Sequence, residues 1–170
     1  MTLPLTTNRL RLEEASLKDG LFFYELLNTP SWITYIGDRN IKLLKDAEAY
    51  IKNSLIASYK ENGFGLCKVS LKETNTPIGI CGLMKRNELS DPDLGFAILP
   101  EYERKGYTLE ASKSILEYSK TLKIDKLLAI TTENNEGSKA ILLKLGFLFE
   151  GVVEFSDKSD PLLLFKKFLK

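Results

Sequence analysis

The sequence contains no histidine. Without imidazole, Ser-His-Asp and Cys-His nucleophile systems are excluded, as are most catalytic zinc sites, which draw on histidine as a ligand. Any proton transfer must run through other groups, and no metal is expected. Only two cysteines occur, Cys67 and Cys81, too few for a disulfide framework or a four-thiolate zinc site. Both fall in apolar, strand-like runs, where a buried inert thiol is the expectation. An excess of one charge is lacking too. The 24 Lys+Arg and 23 Asp+Glu leave a formal charge of +1, so no global field favours nucleic acid or an anionic membrane as a partner. No stretch approaches the ~18 apolar residues of a membrane span, and the first residues have neither a basic n-region nor an apolar h-region. A soluble, cytoplasmic protein is expected.

What remains is ordinary globular material. The 170 residues, 44% of them hydrophobic, suit one domain over residues 1–170 with a sizeable core. Residues 8–14 alternate Leu10 and Leu12 with charged neighbours, the period of a half-buried strand. Ser16 then caps a helical stretch through Leu17, Leu21, Tyr24 and Leu27 that closes near Asn28 to Pro30. A loop with Trp32, Tyr35 and Gly37 follows. Its aromatics suit a substrate wall or, with Ile33 and Ile36 beside Trp32, simply core. Residues 44–60 carry Ala47, Tyr50, Ile51 and Leu55 at helical spacing, ended by Asn62-Gly63.

The middle of the chain changes period. Runs at 64–72 and 77–85 predict a hairpin, and 93–99 a third strand after a turn. A helix at about 105–122, a strand at 126–132, a helix at 136–145 ended by Gly146, and strands at 147–154 and 161–168 complete the pattern. Hairpins followed by strand-helix-strand-helix-strand predict an α/β (α+β) fold, a mixed sheet with helices on its faces. The last strand, Pro161 to Phe165, alternates poorly and reads either as a dimer surface or as an internal core strand, so monomer and homodimer both stay open.

Two junctions can carry chemistry. In Leu99-Pro-Glu-Tyr-Glu103-Arg104-Lys105-Gly106-Tyr107-Thr108, an apolar strand ends and Gly106 opens an amphipathic helix. Such a turn aims unpaired N–H groups and the helix dipole at one spot, a site for phosphate or pyrophosphate, although a glycine turn with a solvated basic pair needs no ligand. No G-x-x-x-x-G-K-[ST] or G-x-G-x-x-G pattern is present. At the second junction, Asn134 to Ala140, Asn135 and Ser138 serve as helix caps or as groups facing the ligand crevice of an open sheet.

Asp93 to Ala111, then Asn135-x-x-Ser138, then Lys144-Leu-Gly-Phe147 resemble the GNAT superfamily of N-acetyltransferases. The opening Thr7-Asn-Arg-Leu-Arg-Leu12 is similar to the branch that acetylates ribosomal-protein N-termini. The resemblance implies a mostly antiparallel central sheet whose splayed parallel strands form an acetyl-CoA cleft. It also implies that the turn before the long helix holds the pyrophosphate. Against the family's Q/R-x-x-G-x-G/A pattern, Glu103 stands at the Gln/Arg position, Gly106 at the first Gly and Thr108 at the Gly/Ala position, while Arg104 stands where a further glycine is frequent. Glu103 brings an anion near the phosphates, and Arg104 and Lys105 offset it. Cofactor contacts are thereby expected from Ile98, Leu99, Arg104, Lys105, Gly106, Tyr107, Thr108, Asn135 and Ser138.

Direct acetyl transfer to a primary amine needs a neutral amine, a polarised carbonyl and a proton for the leaving thiolate. By resemblance, Asp93 acts as general base, through a water relay because aspartate is short, or else it is a solvated residue ending the Ser90-Asp91-Pro92 turn. A backbone N–H near Ile98 polarises the carbonyl. The tyrosine that many relatives carry seven residues after the asparagine is Leu142 here, which leaves Ser138 as the acid. Two other readings stand beside the enzyme: a non-catalytic CoA-binding module, and a plain protein-interaction domain. The acceptor, an amine on a small molecule or a protein N-terminus, is not specified by these residues.

Overall fold

The structure, a computed structural model, describes residues 2–169. Its strands are β1 (Leu5–Thr6), β2 (Leu10–Glu14), β3 (Leu66–Leu71), β4 (Pro77–Met84), β5 (Asp93–Ile98), β6 (Lys126–Thr131), β7 (Leu148–Val153) and β8 (Leu162–Phe168). They form one eight-stranded sheet in the order β1-β2-β3-β4-β5-β6-β8-β7. Every neighbouring pair is antiparallel except β5 and β6. The predicted mixed, mostly antiparallel sheet with one parallel pair is thus the observed one.

Helices cover both faces. On one face lies α5 (Tyr107–Thr121), whose Ala111, Ile115 and Leu116 pack on Leu10, Leu12, Val69, Leu83 and Leu94. On the other lie α1 (Gly20–Leu27), α2 (Pro30–Tyr35), α3 (Leu44–Tyr50) and α4 (Ala57–Asn62). There Phe23, Leu26, Trp32, Ala47 and Ile51 meet Leu66, Ile80 and Leu99. Strand alternation divides β5 between the two: Leu94, Phe96 and Ile98 pack with the α5 core, Ala97 and Leu99 with the α1–α4 core. Burying a side chain such as the fully enclosed Phe23 contributes ~1.5–3 kcal/mol. The last helix, α6 (Glu136–Lys144), leads into Gly146, whose φ of 81° closes it.

Four sequence expectations need correction or resolution. The segment read as an aromatic loop is helical in α2, because Pro30 sits in its first turn and Thr29 caps it by accepting the Trp32 N–H at 3.3 Å. Its aromatic residue is core: Trp32 is buried and meets Tyr50 edge-on. The predicted helix over 44–60 contains a π-helical turn, Ile51–Ile56, between α3 and α4. The C-terminal strand β8 is internal, paired to β6 on one side and β7 on the other, so β7 is the edge. The short strand β1 went unrecognised, since two residues carry no period.

Candidate active site

The site grows from the parallel seam. Between β5 and β6 the recorded register is the single pair Asp93 and Leu128, supported by the Leu128 N–H donating to the Pro92 carbonyl at 3.0 Å. Beyond it the strands part toward their carboxyl ends. The Leu99 N–H donates to the Ile78 carbonyl of β4 at 2.8 Å. By alternation, the backbone groups of Leu94, Phe96 and Ile98 therefore face the opened flank. The N–H of Ile98 is turned toward that flank, whereas Leu99 is buried in the α1–α4 core and its N–H is spent on β4.

The turn leaving β5 ends in the first cap. After a 3₁₀ turn at Pro100–Tyr102, Arg104 and Gly106 both take left-handed φ values, 59° and 79°. Glycine suits that conformation, while arginine there costs ~1–2 kcal/mol, the physical reason why a glycine fits position 104. The Glu110 N–H donates to the Gly106 carbonyl at 3.0 Å, which starts the α5 ladder and leaves the N–H groups of Tyr107, Thr108 and Leu109 without helical partners. Glu103, Arg104 and Lys105 are exposed around this end, a local surplus of one positive charge, with the Lys105 ammonium 5.5 Å above the Tyr102 ring. Thr108 is half-buried and lines a cavity of about 10 Å³ with Ala97, Ile98 and Ala111, room for one water at most.

The second cap follows β6. Asn135 Oδ1 accepts the Ser138 N–H at 3.1 Å, so the capping role is realised. The same bond fixes Ser138 in the first turn of α6, half-buried, with its hydroxyl in the positive field of a helix N-terminus. One residue beyond β6, Thr132 Oγ1 is buried and has no hydrogen-bond partner among the described residues. The buried Trp32 indole N–H is likewise without one. Leu142 lies in the core, so no phenol occupies its position.

Asp93 is not the solvated turn residue of the alternative reading. It is fully buried on the α1–α4 side of β5, its two carboxylate oxygens 3.1 and 3.0 Å from Arg86 Nε. Burial pushes its carboxyl above the ordinary value, and the Arg86 guanidinium pulls the other way. Nearby, the Lys158 ammonium donates to the Ile36 carbonyl in the loop after α2. Burial, then Arg39 and Arg86, lower the pKa of Lys158. Cys67 and Cys81 face one another across β3 and β4, both buried, with burial raising each thiol to about 12. They are inert structural thiols, as expected.

Sequence reasoning missed three residues. Arg86 sits between the predicted strand at 77–85 and the turn that begins at Asn87, and its pairing with Asp93 needs the β4–β5 register to be seen. Thr132 carries no pattern. Arg9 was visible in the opening motif, but its position against the α5 turn, about a hundred residues away, was not.

Residues 9–148 match the family model described as the acetyltransferase (GNAT) domain. The chain belongs to the GNAT family and is an N-acetyltransferase. Among curated relatives, it is 26% identical over 152 residues to the uncharacterized N-acetyltransferase YoaA of Bacillus subtilis, which covers 88% of this chain and 85% of that protein. Among solved structures it resembles RimL, a ribosomal alpha-N-protein acetyltransferase in complex with coenzyme A, at a TM-score of 0.83, with 11% identity and 97% of each chain covered. The microcin self-immunity acetyltransferase MccE, in complex with acetyl-CoA and AMP, gives a TM-score of 0.82 at 19% identity, covering 98% of this chain and 99% of that one. These two likenesses are likenesses of fold.

Proposed function

We propose that the protein transfers an acetyl group directly from acetyl-CoA to a primary amine, with a protein N-terminus as the acceptor class. The carrying observation is the opened flank of β5, bounded by two helix N-termini with unpaired backbone donors and an orphaned Thr132 hydroxyl. These residues fit the cosubstrate. The N–H groups of Gly106, Tyr107 and Thr108, with Arg104 and Lys105, suit its pyrophosphate. The free backbone groups of β5 suit its extended amide arm. The protein-N-terminus reading rests on the likeness to RimL and on the opening Thr7 to Leu12 motif.

In the reaction, the amine nitrogen bonds to the thioester carbonyl carbon, the carbon–sulfur bond breaks, and the thiolate leaves. The amine must first be neutral. The burial that chiefly lowers the pKa of Lys158, with Arg39 and Arg86 beside it, acts alike on an acceptor ammonium placed there and favours the free amine without histidine. The released proton passes through water to Asp93. The Ile98 N–H polarises the carbonyl oxygen, Leu99 walls the cleft, and Ser138, held by Asn135, donates a proton to the thiolate and regains one from water, to which Asp93 returns the proton taken from the amine.

The test has two parts. At 100 times its dissociation constant, CoA should stabilise the protein by roughly 2.7 kcal/mol in a melting experiment. Thiol release from acetyl-CoA should then appear with peptides bearing free N-termini and vanish with N-blocked peptides. Tight CoA binding with no turnover on any amine, or no stabilisation at all, would contradict the proposal.

A further inference from the structure

We infer that Arg9 is a positioning residue for the acetyl-CoA-binding turn, holding the Lys105–Gly106 peptide and the first turn of α5 in their ligand-facing orientation. This rests on the assignment of that turn under the proposed function. Arg9 lies at the start of the chain, one residue before β2. Its guanidinium makes three contacts with the turn: Nη1 donates to the Lys105 carbonyl at 2.9 Å, Nε donates to Glu110 Oε2 at 2.7 Å, and the group lies 4.4 Å above the Tyr107 ring.

The carbonyl contact decides orientation. In a planar trans peptide the C=O and N–H point in opposite directions. Drawing the Lys105 carbonyl toward Arg9 therefore aims the Gly106 N–H away from it. Gly106 leaves the space beside the guanidinium open: a Cβ there would stand 3.4 Å from Arg9 Nη2 in a left-handed conformation that disfavours one. A second tie fixes the helix itself. Glu110, in the first turn of α5, accepts from Thr7 Oγ1 at 2.6 Å and from the Arg9 N–H at 2.9 Å, besides the guanidinium. Partial burial pushes this carboxyl up, but those hydrogen bonds outweigh it and hold the group below its ordinary value.

Charge gives Arg9 a second task. A carboxylate in the first turn of α5 opposes an incoming pyrophosphate, and Arg9 neutralises it without occupying the exposed rim of Arg104 and Lys105. Exposed ion pairs commonly contribute little to stability. This one, with its guanidinium fork committed to two acceptors of one turn, acts mainly on geometry.

The experiment compares two acetyl donors, acetyl-CoA and S-acetylpantetheine, which keeps the thioester and loses the pyrophosphate and nucleotide. Arg9→Gln should raise KM for acetyl-CoA by about tenfold or more, with kcat within about twofold, and leave kcat/KM for S-acetylpantetheine nearly unchanged. Arg9→Lys keeps the charge but loses the fork, and should recover only a small part of the loss. An equal fall with both donors, or full rescue by lysine, overturns the inference. Should Arg9→Gln fail to fold, Arg9→Lys, which keeps the charge and the stem but not the fork, carries the test, and the donor ratio is read from it under the same criteria. If the wild-type protein uses neither donor and does not bind CoA, the functional reading itself fails and takes this inference with it. Wild-type turnover with an unchanged donor ratio in the variants sinks the role of Arg9 alone.

Discussion

Removing the guanidinium of Arg86 isolates the electrostatics of Asp93. In the native protein the carboxylate is fully buried and faces Arg86 Nε through both oxygens. Arg86→Met preserves most of the side-chain volume and leaves burial as the dominant influence, so the carboxyl pKa moves further up. A carboxyl whose folded pKa exceeds its unfolded value of 3.8 binds its proton more tightly when folded. Its contribution to stability is fully present below the unfolded pKa and is lost as pH rises through the folded one. Each pH unit inside that window costs about 1.4 kcal/mol, and stripping one partner from a buried pair commonly costs ~3–5 kcal/mol. Urea denaturation of wild type, Arg86→Met and the double variant Arg86→Met/Asp93→Asn at two pH values, about 5 and 8, measures this directly. Arg86→Met should be far more destabilised relative to wild type at the higher pH, and adding Asp93→Asn should flatten the dependence. An equal penalty at both pH values would refute the buried ion pair as described.

Two further outcomes follow from the same geometry. Ser138→Ala should lower kcat by ~10²-fold with little change in acetyl-CoA affinity, measured by steady-state kinetics beside calorimetry, because it removes a proton donor while the Asn135 cap on the Ser138 N–H persists. Tyr59→Phe should destabilise the fold by about 1–3 kcal/mol in urea denaturation with no effect on KM, since the phenol donates to the Leu66 carbonyl at 2.5 Å and accepts the Ala15 N–H at 3.0 Å, leaving two backbone groups unpaired when it is lost.

Long elements with a clean period were legible in the sequence. The stripe Ala111, Ser112, Ile115 and Leu116 predicts α5, and the alternation of Leu10 and Leu12 predicts β2. The mixed character of the sheet followed from the order of elements, and its splayed parallel pair from the family resemblance. What escaped notice depended on context: α2 is six residues long and held by the Thr29 cap and tertiary packing, with no helical period of its own. The internal place of β8 depends on β7 doubling back outside it. At the site, the two junctions were legible because glycine, asparagine and serine mark helix starts. Arg9, Arg86 and Thr132 were not, because their partners are set by register and splay rather than by neighbours in the chain.

A sheet of eight strands ordinarily has two edges, and here those are β1 and β7. The single-pair seam gives this sheet a third, along the inner flank of β5, hidden among its neighbours. Open edges invite any extended chain that passes. This inner edge is limited to one short strand and flanked at its exit by the starts of α5 and α6. An extended molecule entering there would meet backbone along its length and a helix start at its end.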